Sequence, residues 1–141
     1  MTFRLNNGIG FILNRTNTRM KNNLLHHFKD YDVTPEQWAV LNCLWEREGI
    51  SPKELAELTS KDQPTTVRML SKLEKKGFIT RQVNPNDNRS YLIHLTSEGQ
   101  ELKDKLFPLA FQALDKALKG IDKKQIEEVK IVLNKIFNNL D

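Results

Sequence analysis

The chain has 141 residues, of which 38% are hydrophobic and 28% charged, with a formal net charge of +4. This length suits one domain with a real core, and the composition is typical of a folded protein rather than a disordered one. The N-terminal apolar patch is interrupted before it reaches signal-peptide length, and no run approaches a membrane span. One cysteine excludes an internal disulfide, which agrees with a reducing compartment. From these features together we expect a cytoplasmic protein without membrane contact.

The positive excess is confined to one short stretch. Residues 61–81 contain six Lys and Arg against two Asp and Glu, whereas residues 1–60 and 82–141 are each balanced. A concentrated positive stretch in a balanced chain is the electrostatic footprint expected of a phosphate-binding surface. The alternative is a solvated run of charges without a ligand.

The first two predicted helices differ in the strength of their start signals. Apolar residues at near-helical spacing predict a long amphipathic helix at about residues 4–29. The second start is sharper, because Thr34 can cap the helix while Gln37 reaches back to it as in a capping box. This second helix is predicted at about 35–47.

The next two helices are short and close together. Ser51 and Glu54 repeat the capping-box pattern and begin a third helix that runs to about Leu58. Asp62 marks the start of a fourth helix, which Gly77 ends. Two helices joined by about four residues have the arrangement of a helix-turn-helix.

The remaining third of the chain is predicted to form a β-hairpin and two helices. FITRQV and SYLIHL are rich in β-branched and aromatic residues, and the loop between them is polar. Thr96 or Ser97 caps a long fifth helix, and Asp122 with Gln125 opens a sixth. The predicted fold class is therefore mainly α with one small β-hairpin (α+β).

The terminal helices predict a homodimer. Their apolar stripes, with Phe3 and Leu140 near the two ends, lie far in sequence from the helix-turn-helix. Long amphipathic helices without a local partner suggest a second copy, and an intramolecular bundle is the alternative. The chain is then one domain, with a helix-turn-helix and hairpin lobe at about 34–96 between dimerisation helices at about 4–29 and 97–140.

The fourth helix has one apolar and one basic face. At about 100° per residue, Leu70 and Leu73 lie on one side and Arg68 on the other. The basic face would be free to enter a major groove of double-stranded DNA, where Arg bonds to guanine, Gln to adenine and Lys to phosphates. Plain surface solvation is the alternative for each side chain. The residues predicted to contact DNA on this helix are Gln63, Pro64, Thr65, Thr66, Arg68, Lys72 and Lys75.

The predicted hairpin carries Asp87 and Arg89 at its tip. A hairpin after a recognition helix is a wing, and its tip Arg can enter a narrow, A·T-rich minor groove. Asp87 would be repelled by DNA, so we expect it to hold the tip in shape by bonding to Arg89 or to loop amides. The alternative is an ion pair that stabilises the loop and binds nothing.

The segment SPKELAELTSKDQPTTVRMLSKLEKKGFITRQVNPNDNRSYLIHLTSEG resembles the winged helix-turn-helix of the MarR (multiple antibiotic resistance regulator) family, through LEKKGFI and the Asp-x-Arg wing followed by LT. The resemblance implies a homodimeric transcription regulator, usually a repressor, that binds a pseudo-palindromic operator. It also implies release by a small, commonly aromatic effector, minor-groove contact by Arg89, and positioning of Arg89 by Asp87. Ser60 stands where the family often has Gly, which leaves the local turn geometry open.

An effector pocket is predicted from aromatic residues, Phe28, Tyr31, Trp38 and Trp45, between the dimer helices and the DNA-binding lobe. The resemblance favours this region, because the family often binds ligands there. Aromatic residues at helical spacing more often form core, so simple packing is the competing interpretation.

The remaining reactive side chains give weak signals. Some relatives in the family use a redox-sensing Cys in the first helix, whereas Cys43 lies in the second, at the edge of an apolar arc, which favours packing. His26 and His27 are adjacent and point in different directions, and His94 lies on a strand, so they predict no metal site. No cofactor is expected.

Two other classes of function are disfavoured. We find no nucleophile with a base, no Gly-rich phosphate loop and no metal-ligand set, so the sequence does not predict an enzyme. A winged helix used only for protein contacts would have an uncharged recognition helix, contrary to the positive excess at 61–81.

Overall fold

The computed structural model describes residues 8–140, which form six helices and one antiparallel hairpin. This architecture confirms the predicted fold class. The predicted start of the first helix near residue 4, and Phe3, lie outside the described residues. In the described range no helix has the length and apolar character needed to cross a membrane. The elements are α1 (Ile9–His27), α2 (Pro35–Glu46), α3 (Pro52–Thr59), α4 (Gln63–Lys75), β1 (Ile79–Asn84), β2 (Asp87–Leu95), α5 (Ser97–Ala117) and α6 (Lys123–Asn139).

Reciprocal capping boxes begin α2 and α6. The Thr34 hydroxyl accepts from the Gln37 amide at 3.1 Å, and Gln37 Oε1 accepts from the Thr34 amide at 3.2 Å. Asp122 and Gln125 make the same pair of bonds. Each box satisfies backbone amides that the first helical turn leaves without partners, which explains why these helices begin where the sequence predicts.

The box predicted for α3 forms only in part. Ser51 Oγ accepts from the Glu54 amide at 3.2 Å, but the Glu54 carboxylate pairs with Arg47. The prediction that Glu54 closes the box is therefore wrong, because an Arg guanidinium outcompetes a backbone amide for a carboxylate. Ser60 ends the helix in the left-handed conformation, with φ 54° and ψ 40°. Serine therefore adopts here the backbone geometry that favours glycine.

The hairpin follows α4 after a tight stop at Gly77, whose φ is +84°. Its strands pair from Ile79 with Leu95 through Val83 with Tyr91, and the register then shifts. β2 extends further toward the tip than SYLIHL indicated, so the connecting turn is short. The tip residues are consequently held by strand pairing as well as by the turn.

The core lies within the helix-turn-helix lobe and the first half of α5. Its fully buried side chains include Phe28, Leu41, Leu44, Leu55, Leu70, Leu73, Ile93 and Leu106. By contrast, none of the residues that make up α1 and α6 is buried. Many apolar side chains of α1, α5 and α6 are exposed, among them Ile9, Met20, Phe111, Val129 and Phe137. These helices therefore expose a large apolar surface, of the kind that usually marks an association site.

Gly99 lets α5 approach the base of the wing closely. A Cβ at this position would lie 2.1 Å from the Phe78 carbonyl oxygen, a distance that real Cβ atoms do not show. The Gly99 carbonyl also accepts from Trp45 Nε1 at 2.9 Å. The first turn of α5 is thereby locked against the start of β1 and against α2.

Candidate nucleic-acid interface

Helix α4 presents the two faces that its sequence predicts. Leu70 and Leu73 are 0% exposed and anchor it in the core. Arg68, Lys72 and Lys75 are exposed on the other side. The burial of the apolar face fixes the helix on the lobe, so the basic face is free to meet a ligand.

The N-terminal turn of α4 is organised by Asp62. Its carboxylate accepts from the Thr65 amide at 2.7 Å and from the Thr65 hydroxyl at 2.9 Å. These bonds, with a smaller contribution from nearby Arg68, lower the pKa of the Asp62 carboxyl. Arg68 Nη2 donates to the Thr65 hydroxyl at 3.1 Å. Gln63 and Pro64 are exposed beside this turn.

Thr66 does not belong to this exposed face. It is 1% exposed, and its hydroxyl donates to the Asp62 carbonyl at 2.9 Å. The structure therefore contradicts its predicted side-chain contact with DNA. The sequence contained the signal, because Thr66 lies four residues before Leu70 and seven before Leu73, on the apolar stripe of the same helix.

Arg81 belongs to the basic stretch but is used within the protein. Its Nη2 donates to Ser71 Oγ at 3.1 Å, and its Nε lies 3.2 Å from Glu74 Oε1. The guanidinium also lies 4.8 Å from the centre of the Tyr91 ring, a cation–π distance. Arg81 thus connects both strands of the wing to α4, and it adds less open positive charge than the sequence count indicates.

At the wing tip the backbone is fixed by hydrogen bonds, whereas the Arg89 guanidinium is exposed. Asp87 Oδ1 accepts from the Arg89 backbone amide at 3.0 Å and lies 3.6 Å from Arg89 Nε. The Arg89 side chain is nevertheless 93% exposed. Asn84 accepts from the Asn86 amide at 3.0 Å and shapes the other side of the turn. Asp87 thus hydrogen-bonds to one backbone amide of the tip and pairs only loosely with the Arg89 side chain, which points into solvent.

Three of the four predicted effector residues pack in one aromatic cluster. Ring centres are 5.1 Å apart for Phe28 and Trp38, and 5.5 Å apart for Trp38 and Trp45. Tyr31 packs against the adjoining core. Phe28 is 1% exposed and therefore lies in the core, which agrees with the competing interpretation of simple packing for this residue.

Phe107 of α5 completes this cluster and was missed at the level of sequence. Its ring lies 5.7 Å from Trp38 and 5.6 Å from Trp45, and it also contacts Phe111 at 6.1 Å. The available signal was the four-residue spacing of the two phenylalanines along one face of α5. An open groove of about 790 Å³ lies elsewhere, between α1 and the end of α5.

The surroundings of Cys43, His26 and His27 disfavour a redox or metal role. Cys43 is half-buried against the core, and burial, followed by nearby Glu46, raises the pKa of its thiol. A raised pKa disfavours the thiolate that redox sensing requires. The rings of His26 and His27 are perpendicular. Residues 8–140 contain no cluster of three or more His, Cys, Asp or Glu able to hold a metal ion.

Known proteins resemble this chain in both sequence and architecture. The MarR family model matches residues 33–91. The multiple antibiotic resistance protein MarR of Salmonella typhimurium is 32% identical over 128 residues, which cover 90% of this chain and 87% of that protein. The chain belongs to the MarR family. A second relative in sequence is the organic hydroperoxide resistance transcriptional regulator of Bacillus subtilis, 29% identical over 138 residues, with 98% and 90% of the two chains covered.

Solved structures of the MarR family have the same fold. A mutant MarR of Escherichia coli complexed with operator DNA matches with a TM-score of 0.86 and 27% identity, and covers 91% of this chain and 92% of that one. The MarR family model spans the lobe from the start of α2 into β2, so it includes α4, Asp87 and Arg89. The Bacillus subtilis relative is by its name a transcriptional regulator.

Proposed function

We propose that this protein is a homodimeric transcription regulator that binds a pseudo-palindromic operator, represses transcription there, and is released by a small aromatic effector. One observation carries the proposal. In a MarR-family chain, a basic helix face anchored by a buried apolar face lies beside a wing whose Arg89 is 93% exposed. Such a protein works on chromosomal DNA, and we place it in the cytoplasm.

The two exposed elements suit the two grooves of DNA. An exposed helix fits the major groove, and its N-terminal turn usually lies deepest. Arg can bond there to guanine O6 and N7, while Lys neutralises phosphates. Arg89 would enter the adjacent minor groove. The proposed contacts are Gln63, Pro64, Thr65 and Arg68 with bases, Lys72 and Lys75 with phosphates, and Arg89 with the minor groove.

The second copy would cover the apolar faces of α1, α5 and α6. Val129, Val132 and Leu133 of α6 face Ile9 and Leu13 of α1 across an open groove of about 400 Å³. Burial of such apolar surface is the main favourable contribution to association. A symmetric dimer places two copies of α4 so that they can read two half-sites about one DNA turn apart.

The effector would act at the accessible edge of the aromatic cluster. Trp38, Trp45 and Phe107 are half-buried and Phe111 is 61% exposed, whereas Phe28 lies beneath them. The cluster joins α2, which belongs to the lobe, to α5, which leads to the dimer helices. A ligand with different affinity for two arrangements of these helices would shift the separation of the recognition helices.

The proposal is tested by fluorescence anisotropy on DNA sites selected from the genome by the protein itself. Each selected site is compared with a scrambled duplex of equal length over a series of salt concentrations. We expect a preference of about a thousandfold or more and a steep negative salt slope. Equal, weak binding to both duplexes would contradict sequence-specific regulation.

A further inference from the structure

Lys76 lies in the basic stretch, yet its ammonium group is turned into the protein. It follows the last residue of α4, and its side chain is 23% exposed. Nζ lies 2.9 Å from Gln37 Oε1, donates to the Asp32 backbone carbonyl, and lies 3.5 Å from the Asp32 carboxylate. Lys76 therefore has three oxygen partners, all on the connection between α1 and α2 or at the start of α2.

The Gln37 side of this contact is buried and hydrogen-bonded. Gln37 is 4% exposed, and its Oε1 accepts from the Thr34 amide as well as from Lys76. One amide oxygen thus serves the cap of α2 and the end of α4. The hydrogen bonds from Lys76 have a charged donor, which makes them stronger than neutral ones.

Lys75, the preceding residue, provides a direct contrast. Lys75 is exposed, whereas Lys76 is only partly exposed and bonded. The two adjacent residues have the same charge and the same side chain. Only the direction of the side chain separates a group available to a phosphate from a group that holds the helix in place.

A small tilt of α4 about its C-terminal end produces a large displacement of its N-terminal turn. The 13 residues of α4 span roughly 20 Å, so a tilt of about 5° about its C-terminal end displaces the first turn by nearly 2 Å. Hydrogen bonds to bases tolerate only a few tenths of an ångström before they weaken. Phosphate attraction depends far less on such geometry, because it is a longer-range charge interaction.

We propose that Lys76 is a positioning residue, which fixes α4 against the corner between α1 and α2 and so sets the fit of its base contacts. This inference rests on the proposed function, because it needs a preferred DNA site to act upon. Lys76 in this role has no contact with DNA. Its loss affects the reading of bases rather than the general attraction to phosphates.

The test compares Lys76→Met with Lys75→Met by anisotropy on a selected operator and on scrambled DNA across a salt series. We expect Lys76→Met to lose about tenfold or more of operator preference. Its affinity for scrambled DNA and its salt slope should stay unchanged. Lys75→Met should weaken both duplexes alike and reduce the magnitude of the salt slope by about 0.9.

Two results would overturn the inference. A salt slope reduced by about 0.9 in Lys76→Met would identify Lys76 as a direct phosphate contact. An unchanged operator preference, with only a lower melting temperature, would show that Lys76 stabilises the fold but does not position α4 for base contacts. Lys76→Arg retains a charged donor and should retain most of the preference.

Two further arms keep the test decisive. If Lys76→Met does not fold, Lys76→Gln, which remains polar but loses the charge and most of the reach, gives the same comparison with the same expected result. A wild-type protein without operator preference would overturn the proposed function, and this inference with it. A wild-type preference that both Lys76 variants retain would overturn this inference alone.

Discussion

The Asp87 carboxylate accepts a hydrogen bond from the Arg89 backbone amide at 3.0 Å, while the Arg89 guanidinium remains 93% exposed. The ion pair between the two side chains, at 3.6 Å, is loose and faces water, so it contributes little stability by itself. Asp87 therefore shapes the backbone of the tip and leaves the cation available to DNA.

We expect Arg89→Ala to weaken binding to an operator with A·T-rich flanks by about 1 to 3 kcal/mol, measured by anisotropy. Asp87→Ala should cost less, because Arg89 is still present but less well placed. The matched control replaces the flanks with G·C pairs, which widens the minor groove and weakens its negative potential. An equal loss for Arg89→Ala on both kinds of flank would contradict minor-groove entry.

Replacing Arg68 and replacing Lys75 should weaken DNA binding in different ways. Arg68→Ala should reduce discrimination between operator and random DNA by about 1 to 3 kcal/mol, because it removes a base contact. Lys75→Ala should weaken both duplexes alike and flatten the salt slope by about one unit. Equal losses of discrimination in the two variants would contradict this division of roles.

Cys43 is expected to be unreactive near neutral pH. Burial raises the pKa of its thiol, so the folded protein binds this proton more tightly than the unfolded chain does. The resulting stabilisation is present below the pKa of a free thiol and is lost as the pH rises through the raised value. Iodoacetamide should alkylate Cys43 with a pH midpoint above that of free cysteine.

The matching functional measurement is operator affinity after treatment with peroxide. Wild type and Cys43→Ser should keep the same affinity, because the thiolate needed for oxidation is scarce. A loss of affinity in wild type that Cys43→Ser prevents would establish a redox role for this residue.

Ser60→Gly is expected to stabilise the protein. Ser60 has φ 54°, a left-handed conformation that costs a residue with a Cβ about 1 to 2 kcal/mol. The extra backbone entropy of glycine in the unfolded chain offsets roughly half of this, so we expect a net gain of about 0.5 to 1 kcal/mol in urea unfolding. Ser60→Ala keeps the Cβ and serves as the control, without a gain.

Gly99→Ala is expected to destabilise the protein by about 1 to 3 kcal/mol or more, because the added methyl overlaps the Phe78 carbonyl. Operator affinity should fall as well, since Phe78 leads directly into the wing. Gly10→Ala is the matched control, because a Cβ there meets no described atom within 4 Å. It should be neutral or stabilising, by up to about 1 kcal/mol. Similar effects of the two changes on thermal unfolding would contradict the steric explanation.

Local sequence determined where α2 and α6 begin. The bonds between Thr34 and Gln37, and between Asp122 and Gln125, span three residues, so residue type and spacing suffice to predict them. The exposure of Arg68 and the burial of Leu70 follow from the angle between positions on one helix, which is equally local. The family motif then placed Asp87 and Arg89 on the wing.

Only the tertiary structure decided which side chains are engaged across the fold. Lys76 bonds to Gln37, which lies 39 positions away in the sequence. Trp45 bonds to Gly99, which lies 54 positions away. Such contacts depend on how helices pack, which no spacing within one segment encodes. For the same reason the charge count of residues 61–81 could not separate Lys76 from the exposed lysines, whereas packing directs its ammonium group to Asp32 and Gln37, between α4 and the α1–α2 connection.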